Sequence, residues 1–408
     1  MSTIVKPNIL LPKQNIDKAK WSCVACDQFT SQPDYWSKLA DFVGDAPSCL
    51  NMIMPEVFLS NGDLNERIEK INKNMQKALS DDIFDQINDL VLVERTQSDH
   101  LVRVGLMLAV DLEDYDYTPN NKALIKATEK TVEERLPIRI EVRKNASLEL
   151  PHIMLLMDDK ENAILGGLLA KKNKLEKLYD FDLNMQGGHL TGFRVDNSDE
   201  VIKQIESLAD KKNMLAKYGV TDSLLFAVGD GNHSLATAKE CWNAIKKGLS
   251  EQEKATHPSR LALCELVNLY DNALSFQPIH RVAFNAGEEL VDFLVKKLQG
   301  DESTKIVFRG KETLVNIPAK PSDAIADIQQ ALDEFVKQNQ KVELDYIHGE
   351  EHLMQVANKK DGVAIFMPTL AKDSLFDYVI RRGVLPRKSF SMGHAEDKRY
   401  YCECKKIK

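Results

Sequence analysis

Two periods of apolar and polar residues run through this chain. Ser223–Val228 is short and evenly apolar, as a buried strand is, and directly after it Leu235, Ala238, Trp242 and Ile245 recur at helical spacing. Leu64–Leu79 places Ile68, Ile71, Met75 and Leu79 on one helical face, and Leu90–Arg95 with His100–Leu112 reads as a hairpin joined through Gln97–Asp99. Pro137–Arg143 alternates strictly, Ile138, Ile140 and Val142 against Arg139, Glu141 and Arg143, which predicts a half-exposed strand. Pro151–Met157 predicts another strand, ended by Asp158 and Asp159, a pair that could bind a metal but reads better as a solvated turn. A helix is expected over 162–179, a strand over His189–Val195, and a helix from a capping-box spacing at Asn197–Glu200 through Leu208. Leu261–Asp271 reads as a buried strand. From about 296 to 367 the pattern changes to a smaller alternating unit: helix 324–336, strand 342–347, helix 350–358, strand 363–367. The expected fold is mixed α/β, with a main domain over 1–295, a smaller α/β unit over 296–370, and a last segment over 371–408. That segment comprises a helix at Ser374–Arg382, a basic stretch and a final strand returning to the core.

Between the apolar run and its helix stands G-D-G-N-H-S, residues 229–234. A strand end meeting a helix start gathers unpaired amide N–H groups and the positive end of the helix dipole, a setting that favours a phosphate or carboxylate. Gly229 and Gly231 let the backbone come close; Asn232 and Ser234 add polar contacts, and His233 offers a donor or a general acid. An acidic Asp230 beside a phosphate is tolerable only if it binds Mg2+ or takes a proton. Ordinary turn chemistry, with Asn232 or Ser234 capping the helix, is the competing reading. Three further groups carry polar chemistry. His189, Thr191 and Arg194 follow two glycines and suit either a substrate-binding wall or plain surface. His280 and Arg281 follow the stiff Pro278. Arg381, Arg382, Arg387 and Lys388, with Ser389, form the densest basic cluster, either a phosphate clamp or a solvated tail.

Composition narrows the classes. The chain has 408 residues, 43% hydrophobic and 28% charged, which is ordinary for a globular protein. A net charge of -8, from 62 acidic and 54 basic residues, argues against nucleic-acid and anionic-membrane partners. No apolar run approaches the length of a membrane span and no signal-peptide pattern is present, so a cytoplasmic protein is expected. Seven cysteines then read as reduced thiols; Cys23 and Cys26 could join Cys402 and Cys404 at a zinc ion only if the two ends met.

The motifs V-A-C-D-Q-F, L-E-L-P-H-I-M-L-L-M-D-D, G-D-G-N-H-S-L-A-T-A-K, P-I-H-R-V and L-P-R-K-S-F together resemble a widespread prokaryotic family catalogued as a domain of unknown function, over nearly the whole chain. The central motif is similar to the D-G-H-H-R signature of the free serine kinases, which share a phosphate-handling fold with ParB and sulfiredoxin. That resemblance implies a ParB/sulfiredoxin-like core and transfer of a phosphoryl group to the hydroxyl of free L-serine. Asp230, Gly231 and His233 fall on matching positions, while Asn232 and Ser234 replace a histidine and an arginine. Arg281, Arg387 or Lys388 would have to restore the lost charge, or the donor differs. Asp27 is the nearest counterpart of the family's acidic base. With no G-x-x-x-x-G-K-[ST] element and nothing that demands an adenine pocket, pyrophosphate is favoured as donor over ADP or ATP. The small-molecule partners implied are thus L-serine and pyrophosphate or a nucleotide, with Mg2+ as cofactor. Three other readings stay open: a phosphoester hydrolase, a ParB-like nucleotide switch, and a sulfiredoxin-like reductase, the last lacking a cysteine in the turn.

Overall fold

The computed structural model describes residues 2–408 and divides into two units. The first takes the chain up to Ala127, Thr131–Leu274 and Gly393–Lys408; the second takes Thr128–Lys130 and Ser275–Met392. Both are mixed α/β. No helix among the described residues is long and apolar enough to cross a membrane.

The first unit is built on a ten-stranded mixed sheet. Its order is Glu176–Asp182, His189–Arg194, Val91–Thr96, Val102–Asp111, Leu261–Asn268, Met154–Met157, Phe226–Asp230, Ile125–Ala127 and Tyr115–Asp116, with Ile4–Val5 added beside Val102–Asp111. Its central strands are apolar on both faces because both faces are covered. Alternation sorts their side chains into two cores. Leu92, Leu106, Leu108, Cys264 and Leu266 face one side, against Leu165, Ile205, Leu235 and Trp242 of the covering helices. Val91, Val93, Met107 and Leu263 face the other, against Trp21, Leu39, Ile71, Met75 and the C-terminal Tyr400–Cys404.

On that second face the pattern turns charged without leaving the interior. Arg95, Arg103, Glu265, Arg399 and Glu403 are all buried. Arg103 pairs with Glu265 at 2.7 Å, Arg95 donates to the Asp397 carbonyl at 2.8 Å, Arg399 bonds Asn184 at 2.5 Å, and the Tyr179 hydroxyl donates to Glu403 at 2.7 Å. Glycines clear the space. A Cβ on Gly105 would lie 2.1 Å from Glu265, one on Gly187 2.7 Å from Arg399, and one on Gly192 2.2 Å from the Tyr179 ring. The C-terminal segment runs as a strap along this network, bonded through Ala25 N–H to the Lys398 carbonyl at 2.8 Å and Tyr400 N–H to the Cys23 carbonyl at 2.9 Å.

Burial pushes the Glu403 carboxyl up to about 7. Its folded value thus stands above the ordinary unfolded value of about 4.3, so the folded chain holds a proton that the unfolded chain has released. The sign follows: this contribution is full below about pH 4.3 and is lost as pH rises toward about 7. Glu403→Gln is expected to flatten that loss, and urea midpoints taken at about pH 5 and about pH 8 would differ less than in the parent protein.

The second unit is a six-stranded antiparallel sheet in the order Lys311–Ile317, Glu302–Phe308, Val363–Ile365, Phe276–Phe284 and Glu343–His348, with Phe390–Met392 paired to the start of Phe276–Phe284. Leu353 and Ala357 of the helix Glu350–Lys359 pack on Val282, Ala364 and Phe366. The helices Gly287–Lys297, Pro321–Gln338 and Ser374–Arg382 complete it.

Several expectations need correcting. Pro137–Arg143 is part of a helix, Leu136–Arg143, with the proline in its first turn, where a missing N–H costs nothing. Helical spacing puts Arg139 and Arg143 on one face, where they pair with Glu56 and Glu149. The long helix over 162–179 stops at Leu169, and Glu176–Asp182 is instead an edge strand, whose charges suit an unpaired edge. Asp158 and Asp159 are buried rather than solvated: Asp158 pairs with Lys217 at 2.8 Å, and Asp159 accepts the Ile164 N–H at 2.9 Å. The chain ends do meet, yet all seven cysteines are free. Among the described residues no group of three or more histidine, cysteine or acidic side chains could hold a metal. Burial pushes the Cys23 thiol up to about 12, which makes it inert packing.

Candidate functional site

The strand Phe226–Asp230 ends at Gly231, and the helix Asn232–Ile245 begins at once. Gly231 has φ +78°, and a Cβ there would lie 3.0 Å from the Ile153 Cα, so the turn needs glycine for its conformation and for close approach. Gly231→Ala is expected to cost about 2 kcal/mol of stability, read as a lower urea midpoint. The helix behind is anchored by Leu235, Ala238 and Trp242 in the core, which fixes where its N-terminal amides point.

Side chains from distant segments meet this turn. Asp230 accepts the Gly231 N–H at 2.7 Å through one oxygen, and its other lies 3.3 Å from the Lys398 ammonium. The Ser234 hydroxyl and His152 Nε2 are 2.8 Å apart, and the His152 ring stands edge-on to Tyr400 with centroids at 5.1 Å. Burial pushes the Asp27 carboxyl up, but His152, the Gln28 amide and Lys398 outweigh it and hold the group below its usual range. Asp27 is therefore a carboxylate at neutral pH. His233 is the opposite case. Burial, with Arg139 and Arg135 close by, pulls it down to about 4, and its Nε2 accepts the Val132 N–H at 3.3 Å. It is thus neutral near pH 7, with only Nδ1 left to donate. The Asn232 side-chain oxygen is buried with no partner.

Beside the turn opens a cavity of about 140 Å³. Its polar wall is Cys26, His152, Ser234, Tyr400 and the Glu56–Arg139 pair; elsewhere Met52, Met54, Met75 and Leu150 line it. That volume is about five times the space of one liquid water, enough for a small organic molecule.

The sequence-derived candidates fall into three groups. Asp27, Asp230, Gly231, Asn232, His233 and Ser234 come together in the first unit, with Gly229 closing the strand behind them. His189, Thr191 and Arg194 lie on a strand separated from Phe226–Asp230 by four others, about 24 Å at ordinary strand spacing. There His189 faces Asp180 and Asp182 at 2.7 Å each, and Arg194 pairs with Asp89 at 3.0 Å. The two glycines that suggested a ligand wall make room instead for other parts of the chain, Gly187 for Arg399 and Gly188 for the Thr96 carbonyl. His280, Arg281, Arg387, Lys388 and Ser389 belong to the second unit. There Glu129 accepts the backbone N–H groups of Lys388, Ser389 and Phe390 at 3.0, 2.8 and 3.4 Å, so the loop amides are already engaged. His280 is buried and its Nδ1 accepts the Met367 N–H at 3.0 Å.

The family described as "Protein of unknown function (DUF1015)" matches residues 10–384. The chain belongs to that family. Among solved structures it is similar to a free serine kinase mutant in complex with AMP, at 12% identity over 70% of this chain and 87% of that one, with a TM-score of 0.39. A free serine kinase mutant in complex with ADP gives 12%, 70%, 87% and 0.38. A conserved hypothetical protein from Pyrococcus furiosus gives 11%, 70%, 90% and 0.36. No curated protein matches. In this DUF1015 chain the site residues that motif reading passed over are His152, Lys398, Arg139 and Glu56. His152 stands inside the quoted L-E-L-P-H motif; the other three carry no local signal.

Proposed function

We propose that the first unit transfers a phosphoryl group to the hydroxyl of free L-serine, giving O-phosphoserine. The observation that carries this reading is a half-buried Asp27, held ionised by His152 and Lys398, beside a glycine turn that opens a helix. Phosphoryl transfer asks a protein for placement, for positive charge around phosphate oxygens, and for a carboxylate to take the acceptor proton. The free amides at the start of the helix hold the donor phosphate, and Lys398 supplies the cation that the motif lacks at Ser234. Asp27 takes the serine proton as the serine oxygen bonds to phosphorus, and the bond from phosphorus to the departing phosphate oxygen breaks. The Ser234–His152 contact orients the imidazole that keeps Asp27 ionised.

Mg2+ does not fit these residues as a resident ion. Asp230, expected as its ligand, is already satisfied by the Gly231 N–H and Lys398, and among the described residues no group of three or more acidic, imidazole or thiol side chains is arranged to hold a metal. The chain's own ammonium stands where the metal was expected, and no step here runs through a metal.

The test is mass spectrometry of the purified protein with L-serine and pyrophosphate, ADP or ATP in parallel. O-phosphoserine from one donor establishes the transfer and names the donor. Phosphate release at the same rate without serine would replace it with hydrolysis.

A further inference from the structure

The second unit gathers three cations around one aromatic ring. On the central strand Phe276–Phe284, Arg281 sits directly opposite Tyr346 of Glu343–His348, and its guanidinium carbon lies 4.5 Å from the Tyr346 ring centroid. Arg387 lies 5.0 Å and Lys388 5.3 Å from the same centroid, and Arg387 also donates to the Tyr346 hydroxyl at 3.1 Å. Each contact is a favourable cation–π placement, but the three like charges around one ring repel one another.

No acid bonded to Arg281 relieves this. Arg281 is fully buried, and its partners are all neutral: the Gln329 side-chain oxygen at 2.8 Å and the carbonyls of Ile279 and Lys388 at 2.5 and 3.0 Å. Its Nη2 has no partner. The nearby carboxylate, Glu129, bonds three backbone amides of the loop 388–390 instead. That bonding fixes the loop with Lys388 at φ +54°, a left-handed conformation that a lysine adopts only when its surroundings hold it there. The neighbouring Ser389 hydroxyl is tied to the Pro386 carbonyl at 2.6 Å, so the loop is rigid on both sides of the lysine. The cluster is therefore a preset arrangement with one buried guanidinium and two exposed cationic arms.

We propose that Arg281, Arg387, Lys388 and Tyr346 form a binding site for a compact phosphate polyanion. Arg387 and Lys388 grip the phosphate oxygens from the solvent side, and the buried Arg281 supplies a fixed positive field that costs no ordering on binding. A doubly or triply charged ligand has oxygens enough to meet Arg281, Arg387 and Lys388 together, whereas a singly charged ion meets fewer of them. Free pyrophosphate and the phosphate tail of a nucleotide share this chemistry. The inference stands whether or not the first unit transfers phosphate.

The experiment is equilibrium dialysis of the full chain with labelled pyrophosphate at low salt, comparing the parent with an Arg387→Gln, Lys388→Asn double variant. Both side chains are exposed and asparagine tolerates the left-handed backbone, so the variant folds; unchanged circular dichroism checks this. The expected result is at least a tenfold weaker affinity for one pyrophosphate, and a salt dependence of that affinity shallower than the parent's. Tyr346→Leu, which removes the ring but no charge, is expected to weaken the same site by a smaller factor. Competition by ADP as strong as by pyrophosphate would assign the site to a phosphate tail, and competition by pyrophosphate alone to the free ion. An unchanged isotherm in the double variant, or equal competition by sulfate, overturns the proposal. Loss of O-phosphoserine formation with this binding intact would fall on the first unit's reading alone.

Discussion

Asp27→Asn is expected to slow O-phosphoserine formation by about a thousandfold, within the range that a positioned general base contributes. The substitution keeps the size of the side chain and its contact with Gln28, which lies 2.9 Å away, and removes only the charge that His152 and Lys398 hold in place. The pH profile sharpens the test. A base held below the usual carboxylate range stays ionised as the solution is acidified, so the acid limb of the parent's rate should lie below the range where an ordinary aspartate titrates. Stability moves with the same sign. A carboxyl lowered in the folded state adds stability that is present above its unfolded value of about 3.9 and is lost as pH falls through the folded value. The asparagine variant should accordingly be a little less stable than the parent at neutral pH and match it in strong acid. An equal fall in rate and in thermal midpoint, removed by stabilising osmolyte, would make Asp27 a structural residue.

The largest loss of stability is expected from Glu265→Ala. Glu265 and Arg103 are both buried and bonded at 2.7 Å, and Arg95 lies in the same cluster with two of its nitrogens lacking partners. Removing the acid leaves guanidinium groups in the interior with their nearest counter-charge gone, a change that costs about 3 to 5 kcal/mol. Thermal unfolding should show a midpoint lower by about 10 °C for a unit of this size. A Glu265→Leu, Arg103→Met double variant is expected to recover most of that loss, because it removes the stranded charge together with its partner. A double variant as unstable as the single one would mean that packing against Gly105, and not charge, sets the cost.

Much of the site was legible because its signals are local. Gly231 announces a left-handed turn, the apolar run before it a buried strand, and the spacing of Leu235, Ala238 and Trp242 the helix after it. Lys398 was not legible. It reaches Asp230 only because the last residues return along the first unit, and a lysine in E-D-K-R-Y carries no mark of that path. Arg139 was hidden by a competing period: alternate residues imitate a strand, while the pairings with Glu56 and Glu149 are made by a helix. The two glycines before His189 suit a ligand wall, although space for a buried arginine and for a neighbouring strand's carbonyl leaves the same trace in sequence.

The strap also dictates an order of events during synthesis. Gly393–Lys408 leaves the ribosome only after every residue of the second unit has been made. Until then Arg95 has no Asp397 carbonyl to bond, Tyr179 has no Glu403, and Asp230 has no Lys398. The nascent first unit must wait with its charged interior open while the second, nearly continuous in sequence, is free to fold. Closing that interior and completing the candidate site are one late step, so a chain released before the strap has neither.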